Sequence, residues 1–153
     1  LSVVHSLTWC IVEQEKFVRR GRDMFETEQL RFFYSLEECF GATKPDVALF
    51  SSVLQYIEAP FDLLRSVMNS GAPYIIVDRT PFSAMGVDRL CVQHVPAEIY
   101  PASYPCWIFS ETKFKACLQG DYELVADFDG TVDGSGSVDD LAFYHRGMFW
   151  KRR

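Results

Sequence analysis

The residues best suited to binding a ligand lie where short apolar runs of the sequence end in polar side chains. Glu13 follows one such run, Ser51 and Ser52 end another, and Asp78 ends a third. In open α/β sheets, ligands bind at the carboxyl ends of the strands. A carboxylate there, such as that of Glu13, can accept hydrogen bonds from both hydroxyls of a ribose. A solvated acid without a ligand is the alternative interpretation of Glu13.

Strands and helices that alternate along the chain would bring these residues to one edge of a sheet. Ser35 is in position to cap the start of a helix, Gly41 to end it, and Pro60 to open another helix at its first turn. Short connections between such elements predict βαβ units and a mainly parallel sheet. The predicted strands are 9–13, 30–34, 47–51 and 74–78, and the predicted helices are 15–25, 36–40 and one that ends by Gly71.

The alternation stops after Asp78. Residues 79–109 contain four prolines among aromatic side chains, which predicts a long irregular segment, and such segments usually form lids or binding loops. We therefore assign 82–109 as a substrate or lid segment. A helix capped by Ser110 follows, and the two last strands, 122–128 and 141–150, predict a C-terminal antiparallel hairpin.

Composition and charge exclude several classes of function. The 153 residues suffice for one domain, which we assign to 1–153, and the net charge of −6 argues against nucleic acid as the main partner. The five cysteines are widely spaced without a C-x-x-C pair. They indicate neither a disulfide framework nor a zinc site and fit the reduced thiols of a cytoplasmic protein. No apolar run approaches the ~20 residues of a membrane-spanning helix.

Longer stretches of the chain resemble class I S-adenosylmethionine-dependent methyltransferases. Residues 46–56, followed by Ile57-Glu58-Ala59-Pro60, are similar to the family's fourth-strand motif: an Asp, an apolar strand, small residues, then Leu, two variable positions and a helix that begins near Pro. More narrowly, the chain resembles an uncharacterised bacterial methyltransferase family linked to surface-polysaccharide loci. The segments that carry this narrower resemblance are 9–14, 51–56, 78–82, 93–96 and 104–109.

The resemblance implies a three-layer, Rossmann-like α/β sandwich that binds S-adenosylmethionine and no metal. It implies that Glu13 binds the ribose of the cofactor and that Ser35 and Leu36 lie beside the adenine. It further implies that residues 50–52 lie under the methionine part. The implied cofactor-binding residues are Glu13, Gln14, Ser35, Leu36, Phe50, Ser51 and Ser52.

The resemblance also implies an acceptor site. Tyr56 stands where many relatives have a His that faces the substrate, so it is a candidate base, with a packed phenol as the alternative. His94 is a second catalytic candidate because imidazole titrates near neutral pH, and a surface loop residue is the alternative. Asp78, Arg79 and Tyr104 are candidates for substrate contact, unless Asp78 and Arg79 form a structural ion pair. The expected reaction is methyl transfer to a small molecule or saccharide, with a hydroxyl as the favoured acceptor.

The sequence departs from the family before Trp9. The family's first strand and its Gly-rich turn should stand there, whereas residues 1–8 contain no glycine. We therefore expect an N-terminally truncated fold that lacks this strand and turn. Such a polypeptide should bind S-adenosylmethionine poorly by itself, while an intact parent protein should bind it.

Two other functions fit parts of the sequence. A non-catalytic Rossmann-like module would use the aromatic segment to bind a partner. Residues 126–131 match the D-x-D-G-T motif of haloacid-dehalogenase-type phosphatases, with Asp127 as nucleophile and Asp129 as acid and base. That motif opens the phosphatase fold, whereas here it lies near the C-terminus. The phosphatase is therefore the remote alternative.

Overall fold

The computed structural model describes residues 6–130 and 134–153. The chain forms two compact units, Leu1–Pro45 and Asp46–Arg153. Residues 1–5, which belong to the region where the family's Gly-rich turn is expected, and Thr131 of the D-x-D-G-T match lie outside the described residues. Within them, no helix combines the length and apolar character needed to cross a membrane.

The first unit contains two parallel strands and two helices. Trp9 pairs with Leu30 and Val12 with Phe33, so both strands end at the same edge. This arrangement confirms the predicted βαβ pattern for this part of the chain. The elements are β1 (Trp9–Val12), α1 (Glu15–Phe25), β2 (Leu30–Phe33) and α2 (Leu36–Ala42).

Helix α1 packs on the strands through a narrower face than its apolar residues predict. Val18 and Gly21 are buried, whereas Phe17 and Phe25 are exposed. A Cβ atom built on Gly21 would lie 2.7 Å from Cζ of Phe32. Glycine is therefore required at this position for the helix to approach β2 so closely.

Helix α2 starts where the sequence predicts and ends later. The Ser35 hydroxyl accepts a hydrogen bond from Glu38 N at 3.1 Å and caps the first turn. Gly41, predicted to end the helix, lies inside it, and Thr43 is the C-terminal cap. A short helix whose carbonyls still find donors can continue through one glycine, because glycine costs only about 1 kcal/mol in a helix.

The second unit is built on a seven-stranded sheet. β4 pairs in parallel with β3 over 74–78 and with β6 at 82–83, and it pairs antiparallel with β9 on its other side. The elements are β3 (Val47–Ser51), a 3-10 turn (Leu54–Tyr56), α3 (Pro60–Ser70), β4 (Tyr74–Ser83), β5 (Arg89–Val95), β6 (Ala102–Ser110), α4 (Glu111–Gln119), β7 (Tyr122–Asp129), β8 (Ser135–Val138) and β9 (Leu141–Arg152).

This sheet is mixed, which corrects the prediction of a mainly parallel sheet. The antiparallel pairs are β4–β9, β5–β6, β7–β9 and β8–β9. Two of these pairs, β5–β6 and β8–β9, form where the chain turns back directly, and antiparallel pairing needs no helical crossover. The C-terminal antiparallel hairpin of β7 and β9 is confirmed, and β8 adds to β9 within it.

The region from 79 to 109 is not an irregular loop, which is a second correction. β4 continues to Ser83, and β5 and β6 form a regular antiparallel hairpin from the pair Arg89–Ile108 to the pair Val95–Ala102. The ends of the assigned lid segment are core residues, since Phe82 and Phe109 are fully buried. Both rings pack with Phe114 of α4, and the ring of Phe109 also packs with Phe61 of α3.

Candidate functional site

The carboxyl end of β3 meets the middle of β4 in a polar corner. The hydroxyl of Ser51 donates to Oδ2 of Asp78 at 3.4 Å, and Ser52 N donates to the carbonyl of Asp78 at 3.0 Å. The parallel register explains this contact, because Ser51 pairs with Asp78. The structure thus brings together three residues that the sequence singled out separately.

Two residues of this corner have left-handed backbones. Ser52 has φ 55° and Arg79 has φ 50°, a region that costs a non-glycine residue roughly 1–2 kcal/mol. Arg79 follows a shift in the register of β4 against β9 between Val77 and Thr80, and Arg79 N donates to Oδ1 of Asp78 at 2.8 Å. Strained backbone of this kind is concentrated at functional sites.

Gln55 is a residue of the corner that the sequence reasoning missed. Its side-chain amide donates to Ser52 Oγ at 3.0 Å and to the carbonyl of Arg79 at 3.2 Å. The residue is 2% exposed. Its Oε1 has no hydrogen-bond partner within residues 6–130 and 134–153. The corner therefore holds one buried acceptor that a ligand or water could satisfy.

Tyr56 lies beside one face of the β5–β6 hairpin. Its hydroxyl donates to Oε1 of Gln93 at 3.1 Å, and its ring meets that of Tyr104 edge to face at 5.3 Å between centroids. A hydrogen bond with Tyr100 raises the pKa of Tyr104, with burial as a smaller cause in the same direction. Tyr56, Gln93, Tyr100 and Tyr104 form what we call the tyrosine cluster.

His94 lies on the other face of the hairpin. It pairs with Ser103 across the strands, next to the pair of Gln93 and Tyr104. Successive side chains of a strand point to opposite faces, so the structure does not bring His94 together with Tyr56. The position of His94 gives its catalytic role no support, and that role stays a prediction.

In the first unit, Glu13 and Ser35 follow the carboxyl ends of neighbouring parallel strands. Glu13 Oε2 accepts from Gln14 N at 2.6 Å, which holds the carboxylate at the strand end, and Gln14 is the N-terminal cap residue of α1. Leu36 opens α2 directly after Ser35. Glu13, Gln14 and Ser35 are exposed at this edge.

The carboxylate of Glu38 fixes the turn between β2 and α2. Glu38 accepts from Tyr34 N at 2.7 Å and from Arg22 at 2.9 Å, and these two hydrogen bonds lower the pKa of Glu38. Arg22 also donates to the carbonyl of Phe32 from two nitrogens. These bonds place Ser35 by fixing the backbone on both sides of it.

The two acids of the phosphatase-like motif are paired with cations. Asp127 Oδ2 pairs with Lys115 at 2.7 Å, and Oδ1 pairs with Arg146. Asp129, 88% exposed, lies 3.5 Å from Arg146. Both oxygens of the supposed nucleophile are thus engaged by cations. Among the residues that the structure describes, His, Cys, Asp and Glu side chains form no group of three or more that could hold a metal ion.

Two surface hollows of the protein do not coincide with the polar corner. One of about 280 Å³ in the second unit is lined by Glu58, Phe61, Asp88 and Trp107 among others, and one of about 620 Å³ in the first unit is lined by Arg22, Glu28 and Arg31 among others. Both are open to solvent. We give more weight to the corner at the strand ends, because it combines backbone strain with a buried unsatisfied acceptor.

Comparison with known proteins shows that the chain is similar in fold to solved structures. No protein-family model matches the chain, and no curated protein matches it in sequence. A crystal structure of the glycopeptide N-methyltransferase MtfA is similar over 95% of this chain and 73% of that one, with a TM-score of 0.55 and 9% identity. The chain shares the α/β fold of that structure.

Two further structures of MtfA extend the comparison. The complex with sinefungin has a TM-score of 0.53 and the complex with S-adenosyl-L-methionine one of 0.52, each at 9% identity over 95% of this chain. The chain covers 76% and 77% of those proteins. This likeness concerns the fold. Membership of the bacterial family linked to surface-polysaccharide loci stays a prediction.

Proposed function

We propose that the protein transfers a methyl group from S-adenosylmethionine to a small-molecule or saccharide acceptor, with a hydroxyl as the acceptor group. The observation that carries the proposal is the likeness in fold to MtfA, which has been crystallised with S-adenosyl-L-methionine. The cofactor would supply the methyl group from its sulfonium centre. The chain's own residues would bind, align and deprotonate, which is all that such a displacement asks of a protein.

The strand ends of the first unit support binding of the nucleoside part. The carboxylate of Glu13 would accept hydrogen bonds from the ribose hydroxyls, because its two oxygens match two donors. Ser35 and Leu36 would border the adenine, and Gln14 would flank the ribose. The exposure of Glu13, Gln14 and Ser35 at one edge fits this role.

The polar corner of the second unit supports binding of the amino-acid part. Phe50, Ser51 and Ser52 would lie along the methionine chain, with Ser51 held by Asp78. The unsatisfied Oε1 of Gln55 fits a ligand with donor groups. An ammonium group of the methionine part has such donors. Asp78 and Arg79 would extend the corner toward the acceptor.

The tyrosine cluster supports an acceptor site. Tyr56 donates its hydroxyl proton to Gln93, which leaves the phenol oxygen free to accept a hydrogen bond from an acceptor hydroxyl. That hydrogen bond would orient the acceptor oxygen toward the methyl group, and the hydroxyl proton would pass to solvent as the methyl group is transferred. Tyr104 and Tyr100 add aromatic faces, on which a sugar ring can pack its apolar C–H groups.

Binding and transfer together test the proposal. The protein is expressed with any residues that its gene encodes before Leu1, titrated with S-adenosylmethionine in a calorimeter, and then supplied with methyl-labelled cofactor and saccharide acceptors. Glu13→Ala should weaken binding about tenfold or more, since a hydrogen bond to a charged group contributes about 1.5–3 kcal/mol.

The matched control is Glu123→Ala. Glu123 is an exposed acid on β7, and its removal should leave cofactor binding unchanged. Saturable binding that depends on Glu13 supports the proposal. A full-length protein that neither binds the cofactor nor labels any acceptor contradicts it and favours a non-catalytic binding module.

A further inference from the structure

Two of the five cysteines lie directly opposite each other in the hairpin of β5 and β6. Cys91 pairs with Cys106 in the antiparallel register. Residues in such pairs have Cα atoms about 4.5 or 5.5 Å apart, depending on the kind of pair. A disulfide joins Cα atoms about 4.4–6.8 Å apart. The Cα spacing of both kinds of pair therefore falls within the range of disulfides.

Cys91 is within reach of small molecules in solution. It and Cys106 are free thiols of intermediate burial. β5 forms the edge of its sheet, and the residues on either side of Cys91 are well exposed, Leu90 at 53% and Val92 at 62%. A small disulfide can approach Cys91 from this edge.

We propose that Cys91 and Cys106 form a reversible dithiol–disulfide pair that small-molecule disulfides oxidise. Cys91, as thiolate, attacks one sulfur of the small disulfide, forms a mixed disulfide and releases the first small thiolate. Cys106, as thiolate, then attacks the sulfur of Cys91 and releases the second. The protein loses two protons and two electrons, and the small disulfide is reduced to two thiols.

The order of the two steps follows from the environment of Cys106. Burial, followed by the nearby Cys91, raises the pKa of Cys106 to about 11, and its Sγ donates weakly to the carbonyl of Trp107 at 3.8 Å. A buried thiol with so little thiolate reacts slowly with a molecule in solution. It can still close the ring, because the mixed disulfide on the opposite residue is held beside it.

The pair lies on the face of the hairpin that carries the tyrosine cluster. Cys91 and Gln93 are two residues apart on β5, and Cys106 and Tyr104 are two residues apart on β6. All four side chains therefore lie on one face of the hairpin. Gln93 and Tyr104 are the two residues that contact Tyr56. A disulfide would therefore fix the two strands next to the contacts of Tyr56. Its effect on methyl transfer rests on the proposed function, whereas the disulfide itself does not.

Peptide mapping tests the pair directly. The native protein is incubated with glutathione disulfide, its remaining thiols are blocked with N-ethylmaleimide, and the digest is analysed by mass spectrometry. We expect a peptide pair joined through Cys91 and Cys106, two hydrogens lighter than the reduced peptides and separated again by dithiothreitol. The proposal is overturned if the two cysteines are recovered blocked, or each bound to glutathione, while other cysteines are oxidised.

Variants and a denatured sample separate this pair from chance cross-linking. Cys91→Ser should abolish the link, whereas Cys117→Ser should leave its yield unchanged, because Cys117 lies on α4 and has no cysteine opposite it in a strand register. Oxidation in urea should spread the links over several cysteine pairs. A Cys91–Cys106 link equally abundant in urea would show that the fold does not direct it.

The consequence for Tyr56 is tested last, on protein whose link has been mapped. The rate of methyl transfer is compared before and after oxidation in the wild type and in Cys91→Ser. A change that occurs in the wild type alone connects the disulfide to the tyrosine cluster. Equal rates in a protein that does transfer methyl groups would overturn this connection. A protein that transfers none refutes the proposed function and leaves the mapped disulfide standing.

Discussion

Tyr56 is the residue for which the structure suggests the most specific chemistry. Tyr56→Phe removes the phenol oxygen and keeps the ring contact with Tyr104. If the phenol orients the acceptor, kcat should fall by about 10²-fold, because a small misplacement of a reacting group costs about that much. KM for the acceptor should change little. Steady-state kinetics with labelled cofactor measure both constants.

Tyr74→Phe is the matched control for this variant. Tyr74 is the first residue of β4, four register positions away from the pair of Ser51 and Asp78 at the end of β3, and its ring packs against Phe149. Loss of its hydroxyl should leave kcat within a factor of two. A Tyr56→Phe enzyme with unchanged kcat would show instead that the phenol is a packing group.

Residues at the ends of apolar runs were predictable members of the site, and residues elsewhere were not. Ser51, Ser52 and Asp78 end two apolar runs, and parallel pairing brings such ends together. Gln55 and Gln93 were missed because neither ends such a run, and their side chains contact the carbonyl of Arg79 and the hydroxyl of Tyr56. Those contacts depend on the shift in β4 and on the register of the hairpin, and neither leaves a local mark in the sequence.

At the scale of single elements, we expect alanine substitutions at two helical glycines to change stability in opposite directions, because the surroundings of the two glycines differ. Gly21→Ala places a methyl group against the ring of Phe32, which is buried under α1. Overpacking of this kind should lower the free energy of unfolding by about 1–3 kcal/mol. Gly41→Ala has nothing within 4 Å of the new Cβ. It should raise that free energy by up to about 1 kcal/mol, because alanine favours the helix.

Urea-induced unfolding followed by circular dichroism compares these two variants. Both change a glycine to alanine in a helix of the first unit, so the effect on the unfolded chain is the same in each. The difference between them isolates the contact with Phe32. Equal midpoints would mean that α1 can move away from β2 at no cost, contrary to the packing seen here.

Most helices and strands were predictable, and the hairpin of β5 and β6 was not. The alternation of apolar runs and the caps at Ser35 and Ser110 located elements within a few residues. The prolines led to the incorrect prediction of an irregular segment, because a strand interior normally excludes proline. Pro105 is tolerated since β6 pairs with β4 only at Phe109 and Ser110. Along the rest of β6, β5 is the only neighbour among the strands that the structure describes.

At the scale of the whole molecule, one charge network connects α4 with β7 and β9 in a chain of net charge −6. Lys115 pairs with Glu111 and with Asp127, and Arg146 pairs with Asp127. Tyr144 donates its hydroxyl to Glu111. In a chain with excess negative charge, two cations that each neutralise acids on neighbouring elements oppose the general repulsion.

This network makes stability depend on pH in the acid range. Burial by itself would raise the pKa of Asp127, but hydrogen bonds from Lys115 and Arg146 outweigh it and lower the pKa below the ordinary 3.8. Glu111 is shifted in the same direction from 4.5, by Lys115 and Tyr144 against burial. Because the folded values are the lower ones, the stabilisation is complete above about pH 5 and is lost as pH falls through the folded pKa values.

Asp127→Asn tests the network against the neighbouring Asp129→Asn. At neutral pH, Asp127→Asn should lower the free energy of unfolding by about 1–2 kcal/mol, since hydrogen bonds to two charged groups are weakened in a partly solvated site. Asp129→Asn should cost less than about 0.5 kcal/mol, because that side chain is 88% exposed. Urea unfolding is measured at a series of pH values between 7 and 2.

The pH series distinguishes the charge of Asp127 from its packing. Protonation makes the wild-type side chain neutral, so the gap between wild type and Asp127→Asn should close as pH falls below the folded pKa. A gap that stays constant down to pH 2 would mean that the amide disturbs packing and that the ion pairs contribute nothing. A closing gap would show that the charge of Asp127 helps to hold α4 and β9 to β7.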